Sequence, residues 1–326
     1  MSAGSNGAGS ASRPLVILNP RAGGGRAGQG VEAMQKVIEA AIGGVDLALT
    51  ERPRHAVEIA RAAAAAGRSL VIATGGDGSI HEVVNGLMLA KEAGHAGTTL
   101  GIIGRGTGSD LCRTLGIEPR LDRYLSVIAA GHKKPIDVGR FEHTDTRGQR
   151  GRAYFVNILS AGMGGLVDRY VADLSRWMSG PVAYFAASTR ALLKSQVGVL
   201  AARIELNGEV RELELKTRTI AICNGQYFGS GMHVAPMARV DDGVFEIVDL
   251  GGASRLKFAT ASSAIYSGAH LKSPDVRHFS CNKVELVLKN RDIDPVFLLD
   301  VDGEPLGSLP LTVEVVPRAL DVLLPG

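Results

Sequence analysis

Residues 71–87 read Val-Ile-Ala-Thr-Gly-Gly-Asp-Gly-Ser-Ile-His-Glu-Val-Val-Asn-Gly-Leu, and no other stretch restricts the possible fold so strongly. An apolar run of strand character passes through Gly75-Gly76-Asp77-Gly78 straight into a segment where Ile80, Val83, Val84 and Leu87 recur at the helical period. A strand feeding directly into a helix belongs to a mostly parallel α/β sheet. Ser79 and Glu82 have S-x-x-E spacing and predict a capping box at the helix start. The glycines then lie at the carboxyl edge of a parallel strand and at a helix N-terminus, where backbone N–H groups face anions and a phosphate can approach the main chain. A carboxylate there repels phosphates unless a cation intervenes, so Asp77 points to Mg²⁺, bound directly or through water. A tight turn with a polar tip is the plainer alternative, and capping alone accounts for Glu82.

The surrounding sequence keeps the same alternation. Strand-like runs at Leu15–Leu18, Val45–Thr50, Leu70–Thr74 and Thr99–Ile103 are separated by helical patterns at Val31–Ile42, Arg54–Ala66 and Ile80–Ala93. Pro53 before the second helix and Gly67 after it suit a start and a stop. From about Pro135 the texture becomes β-rich. Arg203–Leu206 and Val210–Leu215 flank Asn207-Gly208, a type I′ hairpin signal. Tyr154–Leu159, Thr219–Cys223, Val244–Leu250, Val284–Leu288 and Phe297–Val301 read as further strands, interrupted by helical patterns at Leu166–Met178, Val182–Leu193 and Leu256–Tyr266. A chain of 326 residues favours two domains, with the boundary expected at 130–136. The closing segment Leu311–Leu324 is strand-like, and its pattern alone assigns it to neither domain.

Composition narrows the function. A net charge of +3 is too small for a dedicated nucleic-acid binder with a concentrated basic face. Cys112, Cys223 and Cys281 are scattered and lack metal-ligand spacing, which fits a reducing cytoplasm. The first thirteen residues are small and polar, and read as a flexible tail. No apolar run reaches the roughly 18 residues of a membrane-spanning helix.

Two more glycine clusters and two acidic clusters are candidates for chemistry. Gly104-Arg-Gly-Thr-Gly-Ser-Asp110 follows the strand at 99–103, with Thr107 offering a hydroxyl, Asp110 a carboxylate and Arg105 a charge for phosphates. Helix capping by Ser109 and Asp110 is the local alternative. Asn19-Pro-Arg-Ala-Gly-Gly-Gly-Arg-Ala-Gly28 follows the first strand; Gly23, Gly25 and Gly28 match a dinucleotide fingerprint only through glycine content, and the run reads as a basic phosphate-loop lid. Near the C-terminus stands Leu299-Asp-Val-Asp-Gly-Glu-Pro-Leu-Gly307. Strand alternation would put Asp300 and Asp302 on one face, and a sheltered carboxylate there could take a proton from an attacking hydroxyl. A hairpin turn at Asp302-Gly303 accounts for the same residues. Asp241-Asp242-Gly243 is either a turn or a hard-cation site. The chain has no G-x-x-x-x-G-K-[ST] loop, no H-R-D loop and no G-x-S-x-G elbow, and Asn85 stands where H-E-x-x-H would need its second histidine.

Taken in order and spacing, these motifs resemble the diacylglycerol kinase catalytic family, which includes bacterial lipid kinases, sphingosine kinases and ceramide kinases. The resemblance runs from Leu15 almost to the end. It is carried by Asn19-Pro20, Gly75 to Ser79 with Asn85-Gly86-Leu87, Gly106 to Asp110, Asn224-Gly225-Gln-Tyr-Phe-Gly229 with Ala235-Pro236, Asp241-Asp242-Gly243 and Asp302-Gly303-Glu304. G-G-D-G alone also occurs in NAD kinases.

The resemblance implies a three-layer, Rossmann-like nucleotide-binding domain (14–134 with 306–326) and a larger β-sandwich-type domain (135–305) carrying lipid determinants, with ATP in the cleft between them. It implies ATP contacts from Asn19, Thr50, Gly75, Gly76, Asp77, Gly78, Ser79, Ile80, His81, Glu82, Gly106, Thr107 and Asp110. Asp77 would serve the nucleotide's Mg²⁺. Glu304 or Asp302 would accept the proton, with Glu304 the first choice. Asp242, with the backbone carbonyls of Arg239 and Val244, would form a structural Mg²⁺ site. Ser109 and Gly104 depart from the usual asparagine and proline, and His81 also occurs in sphingolipid kinases. These departures bear on the acceptor.

The expected reaction is ATP- and Mg²⁺-dependent phosphorylation of a lipid hydroxyl, diacylglycerol first. Sphingoid bases or ceramide, then NAD, are alternatives, followed by an inert nucleotide or lipid sensor. Such an enzyme would be cytoplasmic and peripheral to the inner membrane surface during turnover; a homodimer is allowed. Trp177-Met178-Ser-Gly-Pro-Val-Ala-Tyr184-Phe185 is the candidate membrane contact, with a buried helix pair as the alternative.

Overall fold

The computed structural model describes residues 13–20, 30–106, 108–145, 148–174 and 180–326. The N-terminal tail, the glycine run from Arg21 to Gly28, Thr107 and the Trp177-Met178 pair lie outside these residues, as do the side chains of Tyr184 and Phe185.

The described chain forms two compact units, Met1–Ile136 with Arg318–Gly326, and Asp137–Pro317. In the first, short apolar runs become strands and the amphipathic segments between them become helices: β1 (Leu15–Leu18), α1 (Val31–Ile42), β2 (Asp46–Leu49), α2 (His55–Ala65), β3 (Leu70–Gly75), α3 (Asp77–Glu92), β4 (Thr99–Gly104), α4 (Asp110–Thr114) and α5 (Leu121–Ala130). The strands are parallel in the order β2-β1-β3-β4, and Val322 of the C-terminal strand pairs beside Leu100 of β4. Each crossover is long enough to hold a helix, as parallel pairing requires. α2 packs on α3 and α1 on α5, the division between two faces that right-handed crossovers produce for this order. Val16, Ile17, Val71, Ile72, Leu100 and Ile103 are fully or almost fully buried, which explains why these strands read as unbroken apolar runs.

β5 (Lys133–Thr144) leads into the second unit. There the strands are β6 (Arg150–Phe155), β7 (Ile158–Gly162), β8 (Gly198–Leu206), β9 (Glu209–Thr217), β10 (Thr219–Cys223), β11 (Tyr227–Phe228), β12 (Met232–His233), β13 (Phe245–Asp249), β14 (Arg277–Cys281), β15 (Lys283–Leu288), β16 (Leu298–Val301) and β17 (Glu304–Leu323). The helices are α6 (Met163–Leu174), α7 (Gly180–Lys194) and α8 (Arg255–Ala261). One antiparallel run is β14-β13-β10-β7-β16 and another is β9-β8-β15; β17 pairs with both β16 and β15, and β5 pairs with β17 and β6. Their shared core gathers Phe141, Phe155, Phe245, Ile222, Leu286 and Val313. This is a β-sandwich-type domain attached to a Rossmann-like one.

Four local expectations are corrected. The single strand expected over Tyr154–Leu159 breaks at Val156-Asn157, because the amides there are taken by a side chain and not by a neighbouring strand. The Leu256–Tyr266 helix ends at Ala261 and continues as a 3₁₀ turn over Ser262–Ser267. The closing segment joins the first unit at Arg318 and not at 306, since β17 first pairs Ser308 with Leu298 and Glu314 with Lys283. The fourth concerns Ser79 and Glu82, described with the site they adjoin.

Candidate active site

The order β2-β1-β3 reverses chain direction across the sheet between β1 and β3, and the carboxyl ends at such a switch point are where open α/β sheets hold ligands. Asn19 follows β1 at that place. Its amide donates to the Thr74 carbonyl at 3.2 Å, and its Nδ2 donates to Ser79 Oγ at 3.3 Å. Thr50, just past β2, donates its amide to Leu18 at 3.0 Å and so lies at the same edge. α3 begins at Asp77, immediately after β3, with extended Gly76 as its N-cap and no capping side chain. Its first-turn N–H groups are therefore directed at the carboxyl edge of the sheet.

The capping box does not form, because the helix starts at Asp77 and not at Ile80, three residues earlier than the pattern suggested. Ser79 sits inside the first turn, and its hydroxyl fills the space over Gly75 where a Cβ would collide with it. Glu82 instead reaches a second helix: its oxygens accept the amides of Arg54 at 2.8 Å and Ala56 at 3.2 Å, at the start of α2. Ile80 is 1% exposed and His81 7%. The Asn85 Nδ2 donates to the His81 carbonyl at 2.9 Å and lies 3.2 Å from its Nε2.

The second glycine turn packs against the first. The Arg105 amide donates to the Gly75 carbonyl at 2.7 Å. A Cβ on Gly106 would lie 2.8 Å from Gly76 Cα, so a side chain there would push the turns apart. A Cβ on Gly108 would stand 3.1 Å from Asp77 Oδ2 and 3.3 Å from Asp110 Oδ2. Two carboxylates thus approach one small region of space, while the other Asp110 oxygen is held by Arg113 at 2.8 Å. Mg²⁺ is held by one or two carboxylates together with water and phosphate oxygens, and this donor set fits it. Behind the turn, burial pushes the Cys112 thiol up to about 12, which makes it an inert packing group.

In the second unit Asp302 and Glu304 do not have equivalent surroundings. Asp302 and Gly303 have φ of 52° and 87°, a two-residue turn joining β16 to β17. The strand ends at Val301, so alternation no longer places Asp302 on the face of Asp300. Asp302 is 6% exposed and accepts three consecutive amides, from Val156 at 3.0 Å, Asn157 at 2.9 Å and Ile158 at 3.1 Å. Glu304 is exposed. Asp300 instead meets Ser160, whose hydroxyl donates to it at 3.3 Å, and Asp168, a residue the motifs did not single out. The only local signal for Asp168 is Gly164-Gly165 one helical turn before it.

At Asp241-Asp242-Gly243, Asp242 Oδ1 accepts the Val244 amide at 3.1 Å, and Gly243 adopts φ of 75° and donates to Asp137 Oδ2 at 2.6 Å. Burial, with Asp137 and Glu246 nearby, raises the Asp242 carboxyl above its usual range. Among the described residues no group of three or more His, Cys, Asp or Glu side chains forms a metal cluster, so a cation here would depend on Asp242 and main-chain carbonyls.

A Rossmann-like domain with a β-sandwich domain is the class these features define, and known proteins place it further. Residues 13–141 match the diacylglycerol kinase catalytic domain, and residues 157–324 match the YegS C-terminal NAD kinase beta sandwich-like domain. A diacylglycerol kinase of Bacillus subtilis is 27% identical over 322 residues, covering 96% of each chain. A probable YegS-like lipid kinase of Shewanella frigidimarina is 27% identical, covering 78% of this chain and 76% of its own. A solved structure of a putative diacylglycerol kinase from Bacillus anthracis matches with a TM-score of 0.71 at 23% identity, covering 96% of this chain and 97% of that one. Yeast NADH kinase with bound NADH gives 0.51 at 11% identity, covering 96% and 83%, and shares the fold alone. The chain belongs to the diacylglycerol kinase family of lipid kinases, a group of phosphotransferases.

Proposed function

We propose that the protein transfers the γ-phosphoryl group of ATP to a lipid hydroxyl in a Mg²⁺-dependent reaction, with diacylglycerol as the acceptor and phosphatidic acid as the product. The observation that carries this reading is the meeting of Asn19, Gly75 to Asp77, Gly106 and Gly108 to Asp110 at one sheet edge, with the Asp77 and Asp110 carboxylates beside Gly108. Glycine turns of this kind bind phosphates through N–H groups, and a carboxylate pair among them makes chemical sense with a divalent cation.

Asn19, Thr50, Gly75 to Ser79, Gly106, Thr107 and Asp110 form the nucleotide site in this proposal, and Asp77 with Asp110 would hold Mg²⁺. When bound, the ion would neutralise charge on the transferred group. Ile80 and His81 contribute through their main chain, because their side chains are buried. Glu82 is assigned to α2. Glu304 accepts the proton of the attacking hydroxyl, since it is exposed whereas Asp302 is engaged by three amides. Asp242, with the carbonyls of Arg239 and Val244, is proposed as a second, structural Mg²⁺ site. No helix among the described residues is long and apolar enough to cross a membrane, so the lipid would be taken from a membrane surface.

A lipid acceptor is favoured over NAD because the curated relatives named for lipid kinases align over most of the chain, whereas the NADH kinase likeness is one of fold. Purified protein is incubated with Mg²⁺ and ATP labelled on the γ-phosphate, in separate reactions with diacylglycerol, sphingosine, ceramide, phosphatidylglycerol and NAD. Label in phosphatidic acid is expected. Label in NAD alone, or ATP binding with no product from any lipid, overturns the proposal.

A further inference from the structure

α6 lies so close to β7 and β16 that no side chain fits at Gly164 or Gly165 in its first turn. A Cβ on Gly164 would collide with Ser160 Oγ, and one on Gly165 would lie 2.7 Å from the Leu299 carbonyl oxygen. One turn further along this face stands Asp168. Its Oδ2 is buried and accepts from no donor group among the described residues, because the group it faces is the Asp300 carboxylate. Two carboxylates hold each other only through a shared proton. Asp300 is tied on both sides: Oδ1 accepts the Gly303 amide at 2.9 Å, and Oδ2 accepts the Ser160 hydroxyl at 3.3 Å.

We infer that Asp168 and Asp300, sharing one proton, form a positioning pair that locks the Asp302-Gly303-Glu304 turn to α6 and β7 and so fixes Glu304. This rests on the proposed role of Glu304 as proton acceptor.

The electrostatics agree. Burial, then Asp300 and Glu304, push the Asp168 carboxyl well above the usual range. Burial raises Asp300 as well, against the lowering effect of its hydrogen bonds. The groups acting on the pair are Glu304 and Asp302 from the turn, Ser160 from β7 and the Gly303 amide, with no cation among them. A carboxyl whose folded pKa is raised stabilises the fold below its unfolded pKa, and that contribution is lost as pH rises through the folded value. Loss of the shared proton leaves two adjacent anions with Glu304 as a third. The turn then loosens on the alkaline side.

The experiment compares wild type, Asp168→Asn, Asp168→Leu and Glu304→Gln, using Mg²⁺, ATP and diacylglycerol in mixed micelles from neutral to alkaline pH. An asparagine amide donates to Asp300 without a titrating proton. Asp168→Leu is expected to lower kcat about 10²-fold with KM for ATP unchanged. Asp168→Asn is expected to restore most of that loss and to move the alkaline decline of kcat to higher pH. Wild-type kcat and an unaltered pH profile in folded Asp168→Leu overturn the inference, as does an unshifted decline in Asp168→Asn. Should Asp168→Leu fail to fold, the Asp168→Asn profile decides. Hydrogen exchange at the Gly303 amide reports on the pair independently of Glu304. Faster exchange in Asp168→Leu, or in Asp168→Asn an exchange rate that no longer rises with pH beyond the intrinsic amide rate, supports the pair; exchange unchanged from wild type in both overturns it. Retained turnover in Glu304→Gln refutes the base assignment and leaves that exchange test standing.

Discussion

Asp302 Oδ1 accepts the Asn157 amide at 2.9 Å across a sequence separation of 145 residues. The same carboxylate takes the amides on either side, and the Asp302 amide returns to the Ile158 carbonyl at 3.0 Å. This clamp supplies the hydrogen bonds that the chain would otherwise lack where β6 gives way to β7. It also separates the two acids of the Asp302-Gly303-Glu304 turn into a buried one and an exposed one.

Asp302→Ala should therefore destabilise the protein by about 3 kcal/mol or more, since it strands buried amides that had charge-assisted acceptors. Glu304→Gln should change stability by less than about 0.5 kcal/mol and lower kcat by about 10²- to 10⁴-fold. Denaturant midpoints measured beside turnover distinguish the two. Equal stability losses in both variants would contradict the division of roles.

Asp77 stands where two glycine turns touch, and its Oδ2 approaches the same space as that of Asp110. Asp77→Asn keeps the shape and removes the charge. It should reduce turnover by about 10²-fold or more without lowering the melting temperature, and excess Mg²⁺ should recover part of the loss. Wild-type kinetics at every Mg²⁺ concentration would count against a cation at this carboxylate.

Glu82 provides a purely structural contrast a few residues away. Glu82→Ala removes the acceptor of two amides at the start of α2, and should cost about 0.5–2 kcal/mol. Its turnover under conditions where it remains folded should match wild type. A selective rise in KM for ATP would show that Glu82 also serves the nucleotide.

His270 is buried, and its Nε2 lies 2.9 Å from the Val234 carbonyl. Burial lowers its pKa from 6.5, so the unfolded chain takes up a proton that the folded one resists. Stability from this residue is present above the unfolded pKa and is lost as pH falls through and below it. Melting temperatures of wild type should decline on acidification below about pH 6.5 more steeply than those of His270→Gln. Parallel slopes would remove His270 from the acid response.

Local order in the chain determined much of this protein. The bounds of β1 and α1, the parallel α/β alternation and the positive-φ turns at Asn207-Gly208 and Asp302-Gly303 follow from apolar period and from residues that tolerate left-handed backbone. The glycine turns were legible for the same reason, because a strand running into a helix fixes which end of the sheet they occupy. Tertiary structure decided which carboxylates are engaged: Asp302 with Val156 to Ile158, Glu82 with α2, and Asp168 with Asp300. Periodicity and turn chemistry act between neighbours in sequence. The partner of a buried acid is set by which distant backbone arrives beside it, and nothing in its own neighbourhood encodes that.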